Sequence, residues 1–422
     1  MEPGEYETAI TYTAVPADGA LTAKAVLGNN GNLNFLYDRK TYTRGEIYED
    51  NLGETKINAV YNVPINSSWD NNRPGWVENN SIKSVNFESP FYNFKPTSTS
   101  YWFYNDRYLS SITQAKNLNT SNVTDMSSMF SSAGYNAATW NIGDLNDWNT
   151  SNVTNMSDMF SLAGYYAATF NLDISGWDTN SVTHMSYMFS DAGGRSTTWN
   201  IGDLSSWNTG SVIDMQSMFA DAGRMSTTWN IGDLSGWKTS SVVYMRSVFS
   251  GAGSEAGTWT LGDIGDWDTS SVINMAYMFN GAGYRATTWN IGNLGGWDTG
   301  SVTDMDSMFS YAGYNATTFN LNLSGWNTGN VINMSSMFEN TGRSATTWNI
   351  GDLSSWDTSN VKGMSYMFYF AGYNATTWDI RNLKYAGGEH KGWNVSKVTN
   401  HSSFVNWDQA NIDTSKLPWQ SN

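Results

Sequence analysis

Asn122–Gly143 reads NVTDMSSMFSSAGYNAATWNIG, and the change of apolar spacing within it decides the fold. Val123, Met126, Met129, Phe130 and Ala133 fall at i, i+3, i+6, i+7 and i+10, which is one face of a helix of about three turns. Thr139-Trp140-Asn141-Ile142-Gly143 then alternates with period two, a short strand with Trp140 and Ile142 on one side and Thr139 and Asn141 on the other. Leu145 and Trp148 continue the buried set. The residue before each such Val is Asn or Ser (Asn122, Asn152, Ser181, Ser211, Ser241, Ser271, Ser301, Asn330, Asn360), a side chain that can accept from free first-turn amides as an N-cap. Gly follows the last apolar position (Gly134, Gly164, Gly193, Gly223, Gly253, Gly283, Gly313, Gly342, Gly372), where a helix C-terminus wants a left-handed residue.

The stretch repeats. Met-Phe, once Val-Phe, places its Phe at 130, 160, 189, 219, 249, 279, 309, 338 and 368, a period of 30 with single deletions that give 29. One unit cannot bury its own core, so the nine units between Asn119 and Asp379 stack as a solenoid. Strands stack about 4.8 Å apart and helices roughly 8–10 Å, so a stack of one strand and one helix per unit must bend. The sequence thus predicts an α/β repeat, a curved solenoid with parallel strands on the concave side and short helices on the convex side. Residues 1–22, with Ala9-Ile10-Thr11-Tyr12-Thr13, read as an extended lead-in. Residues 23–118 form an N-terminal cap ending in a degenerate unit around Trp102, Phe103, Leu109 and Ile112, and 119–379 form the solenoid. The period breaks after Asp379, with Gly387-Gly388-Glu389-His390 inserted and His401 in a Met position, so 380–422 read as a C-terminal cap.

Composition narrows the function. The 422 residues include no cysteine, which removes disulfides, thiolate metal sites and a cysteine nucleophile. A formal charge of -16 argues against nucleic acid, and residues 119–379, with 7 basic and 22 acidic side chains, hold most of it. No apolar run is long enough to cross a membrane. Met1-Glu2-Pro3-Gly4 lacks the basic and apolar regions of a signal peptide, and Leu417-Pro418-Trp419-Gln420 is no wall-sorting signal.

The units resemble the BspA-like leucine-rich-repeat surface proteins of bacteria, whose W-[DN]-T-S-x-V-x-x-M-x-x-M-F repeat is also seen in mycoplasma surface proteins. Ahead of the units, Ala25-Val26-Leu27, Leu33-Asn34-Phe35-Leu36-Tyr37-Asp38, Arg73-Pro74-Gly75-Trp76 and Pro96-Thr97-Ser98-Thr99-Ser100-Tyr101-Trp102-Phe103 look like the cap of gut-bacterial members. Units of that family are several residues shorter, the extra length here falling near Tyr135-Asn136-Ala137-Ala138. The resemblance implies a leucine-rich-repeat-like fold and a cell-surface or secreted monomer that is no enzyme. It also implies adhesion to an extracellular protein or polysaccharide, without nucleic acid or membrane insertion. Alternatives are a carbohydrate-binding module, which would need exposed Trp, and a structural stalk.

Candidate chemistry is sparse. His184, His390 and His401 are scattered and form no paired or triad motif. The ladder Trp140, Trp199, Trp229, Trp259, Trp289, Trp348 and Trp378, with Phe170 and Phe319, alternates with Thr and Asn and reads as core, leaving Thr and Asn ladders on the other face. Asp144, Asp173, Asp203, Asp233, Asp263 and Asp352 occupy equivalent turns. Local amide bonding explains them, while like charges one strand spacing apart invite structural calcium, the only cofactor expected. Where units differ, after the Gly, they form a Tyr/Arg stripe: Tyr135, Tyr165, Tyr166, Arg195, Arg224, Tyr284, Arg285, Tyr314, Arg343 and Tyr373. Tyr and Arg carry interface energy, so this rim is the expected binding site.

Overall fold

The structure, a computed structural model, describes residues 20–50, 53–376, 378, 383, 393–406, 408, 409, 417 and 418. The proposed lead-in strand at 9–13, Thr377 and the insertion at 387–390 lie outside these residues. The described chain opens with antiparallel pairing: β1 (Thr22–Gly28) lies between β2 (Asn32–Asp38) and β4 (Gly53–Asn62), and β3 (Ile47–Asp50) pairs with β4. Parallel pairing then takes over. β2 lies beside β5 (Ser84–Phe87), β5 beside β6 (Ser111–Thr113), and β6 beside β7 (Trp140–Asp144). Short strands follow in most later units: β8 (Thr169–Asp173), β9 (Thr198–Asn200), β10 (Thr258–Thr260), β11 (Thr288–Asn290), β12 (Thr318–Asn320) and β13 (Thr347–Asn349). Equivalent residues face each other, Trp259 opposite Trp289 and Phe319 opposite Trp348.

A second ladder of parallel bridges links Asn66, Ser98, Asp125 and Asn155, then one residue of each later unit to Gly363 and Asn400. Each unit is therefore one coil of a β-solenoid, and the coils begin upstream of the nine regular units.

No α-helix occurs among the described residues, which overturns the expected convex layer of helices and with it the α/β class. The segment from Val123 to Gly134 is a succession of turns. Met126, Ser128, Phe130 and Ser132 donate their amides to Asn155, Ser157, Met159 and Ser161 of the next coil at 2.7 to 2.9 Å. Met129 and Ala133 donate back to Met126 and Phe130 within the coil. Ser128 and Ser132 take left-handed φ values of +53° and +59° to allow this, as Tyr187 and Asp191 do further on. The apolar spacing is nonetheless real. A turn closed by an i to i+3 bond returns the chain to the same side every three residues, so Val123, Met126, Met129, Phe130 and Ala133 are all buried.

Coil spacing explains the outcome. Amide bonds from coil to coil hold both walls at one strand interval, about 4.8 Å, into which a helix needing about 8–10 Å does not fit. Ring spacings agree: Phe160–Phe189 and Phe189–Phe219 stand 5.5 and 5.3 Å apart on the turn wall, Trp199–Trp229 and Trp259–Trp289 5.0 and 5.7 Å on the strand wall. Walls that rise alike remove the wedge from which curvature was expected.

The expected helix caps serve other ends. Asn152 Nδ2, Ser181 Oγ and Asn330 Nδ2 donate to the carbonyls of Ser121, Ser151 and Gly300 in the preceding coil at 2.8, 2.7 and 2.6 Å, stitching coils together. The Gly column is left-handed as expected, with Gly283 at φ +55°, and it also lies under the Trp ladder: a Cβ on Gly283 would stand 2.6 Å from Trp259 Cβ. The second Trp of each unit completes the core. Trp177, Trp237 and Trp297 donate Nε1–H to Leu145, Leu204 and Ile264 one coil back at 2.9 to 3.0 Å, and Trp267 and Trp297 stack at 6.3 Å with planes 1° apart.

Candidate functional site

Each short strand turns Trp or Phe inward and Thr and Asn outward. Trp199 and Trp229 are only 4% and 6% exposed, so the ladder offers no stacking surface for a sugar. The outward face is polar, with Asn200 Nδ2 donating to Asn171 Oδ1 at 2.9 Å and Asn349 to Asn320 at 2.8 Å.

The turn after the strand carries the Asp column. Oδ1 of Asp144, Asp173, Asp203, Asp233, Asp263 and Asp352 accepts from the backbone amide two residues on at 2.8 to 3.0 Å. The Ser175 amide holds the Asp173 carboxyl below its usual range. The next coil leaves room through its Gly: a Cβ on Gly262 would stand 1.8 Å from Asp233 Oδ1. Among the described residues no three His, Asp or Glu gather as metal ligands. His184 is exposed and bonded to Thr183 Oγ1 at 2.9 Å, His401 is also exposed, and His390 lies outside the described residues.

The Tyr/Arg residues resolve into two clusters along one edge. In the first, Tyr135 stacks on Tyr165 at 5.2 Å, Tyr166 meets both edge-on, and Arg107 and Arg195 cover the ends, Arg107 4.9 Å from the Tyr135 ring and Arg195 5.3 Å from Tyr166. In the second, Tyr284 stacks on Tyr314 at 4.6 Å, Tyr311 lies beside both, and Arg343 lies 5.7 Å from Tyr314, 4.1 Å from Phe370 and 5.3 Å from Tyr373. Arg107, Tyr311 and Phe370 escaped the sequence reading. Arg107 sits in the degenerate unit, and the other two stand two residues before the Gly column, outside the variable pair that drew attention.

Between the clusters the edge is charged. Arg224 lies 3.5 Å from Asp221, and Asp191 occupies the same position one coil earlier. Burial pushes the Asp191 carboxyl up to about 6; the Asp221 charge adds to this and Arg224 opposes it. Arg285 turns back to Glu255, 2.9 Å away.

The family model described as "Mycoplasma protein of unknown function, DUF285" matches residues 97–227, 132–259, 195–283, 223–312 and 283–419, which together cover well over half of the chain. No curated protein and no solved structure matches it. Among the described residues no helix is long and apolar enough to cross a membrane.

Proposed function

As the chain belongs to this DUF285 family of Mycoplasma repeat proteins, we propose that it is a non-enzymatic cell-surface or secreted monomer that binds extracellular macromolecules by its solenoid edge. Adhesion is the role implied by its resemblance to BspA-like surface proteins. The observation that supports it is the pair of Tyr/Arg clusters. Rings already stacked on one another and covered by an Arg lose little side-chain freedom when a partner docks, and Tyr and Arg are the residues that carry interface energy. Spaced along one stack, two such clusters act together on an extended partner without a deep pocket. Calcium enters this reading as a weak stabiliser of the Asp column.

The test is a binding screen of the whole protein against extracellular-matrix proteins and polysaccharides, beside a Tyr314→Ala/Arg343→Ala double variant. A ligand whose binding falls at least about tenfold in the variant, with the melting temperature unchanged, is the expected result. Binding that survives in the variant removes the second cluster from the site, and silence against every ligand favours a structural stalk.

A further inference from the structure

Counting coils from the first regular unit, that of Phe130, coil seven is one residue short. In coils six and eight the strand runs into Asn290-Ile291-Gly292 and Asn349-Ile350-Gly351, with the glycines at φ +81° and +84°. In coil seven Asn320 passes directly to Leu321-Asn322-Leu323. A groove of about 850 Å³ opens on the strand face there, lined by Thr288, Asn290 and Asn293 of coil six and Thr318, Asn320 and Asn322 of coil seven, with Asp352 of coil eight also on its lining.

The charge changes at the same place. The Asp column reads Asp144, Asp173, Asp203, Asp233 and Asp263, then Asn293 and Asn322, and returns at Asp352. Asn293 and Asn322 make the same turn, Oδ1 accepting from the amides of Gly295 and Ser324 at 3.0 and 3.2 Å. A carboxylate would serve that turn equally. Coil two shows it: the same residue is missing in Phe170-Asn171-Leu172-Asp173, yet Asp173 is retained and accepts from Ser175 at 3.0 Å. Neither the turn nor the shortening therefore requires the loss of charge.

We propose that this groove binds a neutral, hydroxyl-rich polymer, a stretch of uncharged polysaccharide laid across coils six to eight. Amide and hydroxyl side chains both donate and accept, as sugar hydroxyls do. Trp289 and Leu321 lie buried beneath the lining at 5% and 2% exposure, so recognition falls to the amide and hydroxyl side chains rather than to ring stacking. A cationic partner would be better served by the carboxylates that are replaced here, and a polyanion is repelled by repeats with 22 acidic and 7 basic side chains. The proposal rests on the reading of the chain as a binding protein, at a site apart from the Tyr/Arg edge.

The experiment is affinity electrophoresis of the full chain through dextran, laminarin and galactomannan, with heparin and polylysine as charged probes. Three variants accompany it: Asn293→Asp/Asn322→Asp, Thr318→Val, and Tyr314→Ala/Arg343→Ala. At least one neutral polysaccharide should retard the parent. The Asp variant, whose fold coil two shows to be tolerated, should lose about tenfold in affinity, and Thr318→Val should weaken binding without a change in melting temperature. Retardation by no neutral polysaccharide, preference for heparin or polylysine, or binding by the Asp and Val variants as tight as the parent's would overturn the proposal. Loss confined to the Tyr/Arg variant would also overturn it while leaving the edge reading intact.

Discussion

The strand wall and the turn wall of a coil bury similar side chains by different backbone routes. On the strand wall Trp229 and Ile231 point in while Thr228 and Asn230 face solvent, a simple alternation. On the turn wall Met215, Met218 and Phe219 reach the same core through turns that set Ser217 and Asp221 at φ +53° and +52°. Both walls are bonded coil to coil, Phe219 to Val248 and Asp221 to Ser250 on the turn side. A helical apolar spacing therefore specifies which side chains go inside and leaves the backbone path open. The interval between coils then chooses the path.

The strand wall should be the more sensitive to truncation. Trp229→Ala, between Trp199 at 5.0 Å and Trp259 at 6.2 Å, should cost about 3–5 kcal/mol in denaturant unfolding, the cost of removing a core aromatic. A variant as stable as the parent would place the ladder outside. Where the two walls meet, Gly283→Ala should cost about 2–4 kcal/mol, because a Cβ there meets Trp259 at 2.6 Å on a backbone at φ +55°. Gly257→Ala, with nothing within 4 Å, should change little and serves as its control.

On the turn wall, Asp191 gives a pH-dependent effect. Its carboxyl is raised to about 6 by burial, so protonation stabilises the fold at acid pH and that stabilisation is lost as pH rises through about 6. Asp191→Asn should therefore raise the melting temperature at pH 7.5 and leave it unchanged below pH 4, and an equal effect at both would refute the assignment. A smaller change separates turn from helix by its sign. Ser217→Gly relieves a left-handed residue and should stabilise by up to about 1 kcal/mol, whereas in a helix the same change would destabilise by a similar amount. The smallest expected shift is from calcium. Each Asp Oδ1 of the column already accepts an amide, so calcium against chelator should raise the melting temperature by less than Ser217→Gly does, and no rise at all would remove the ion as a stabiliser.

Much of this was legible in the residues. The period, the inward Trp and Met-Phe positions and the left-handed Gly column all follow from side-chain type and spacing, because burial and φ > 0 leave direct marks on composition. The Asn and Ser before each Val were legible as hydrogen-bonding positions but not in their direction: a side chain such as that of Asn152 can accept from its own coil or donate to another, and only the stack decides. The Tyr/Arg edge was visible as residue types, while its division into clusters needed Arg107, Tyr311 and Phe370, which stacking brings in from other positions. The groove had a signal that went unread, the Asn322 coil being short by one residue and uncharged at once.

Coils rise by one strand interval on both walls, with turns where the apolar spacing predicts helices. The amide I infrared spectrum of the intact protein reads this out. Absorption from strands and turns with no helical band is expected. A helical component equal to nine three-turn segments, one for each stretch from Val123 to Ala133 and its equivalents, would contradict it.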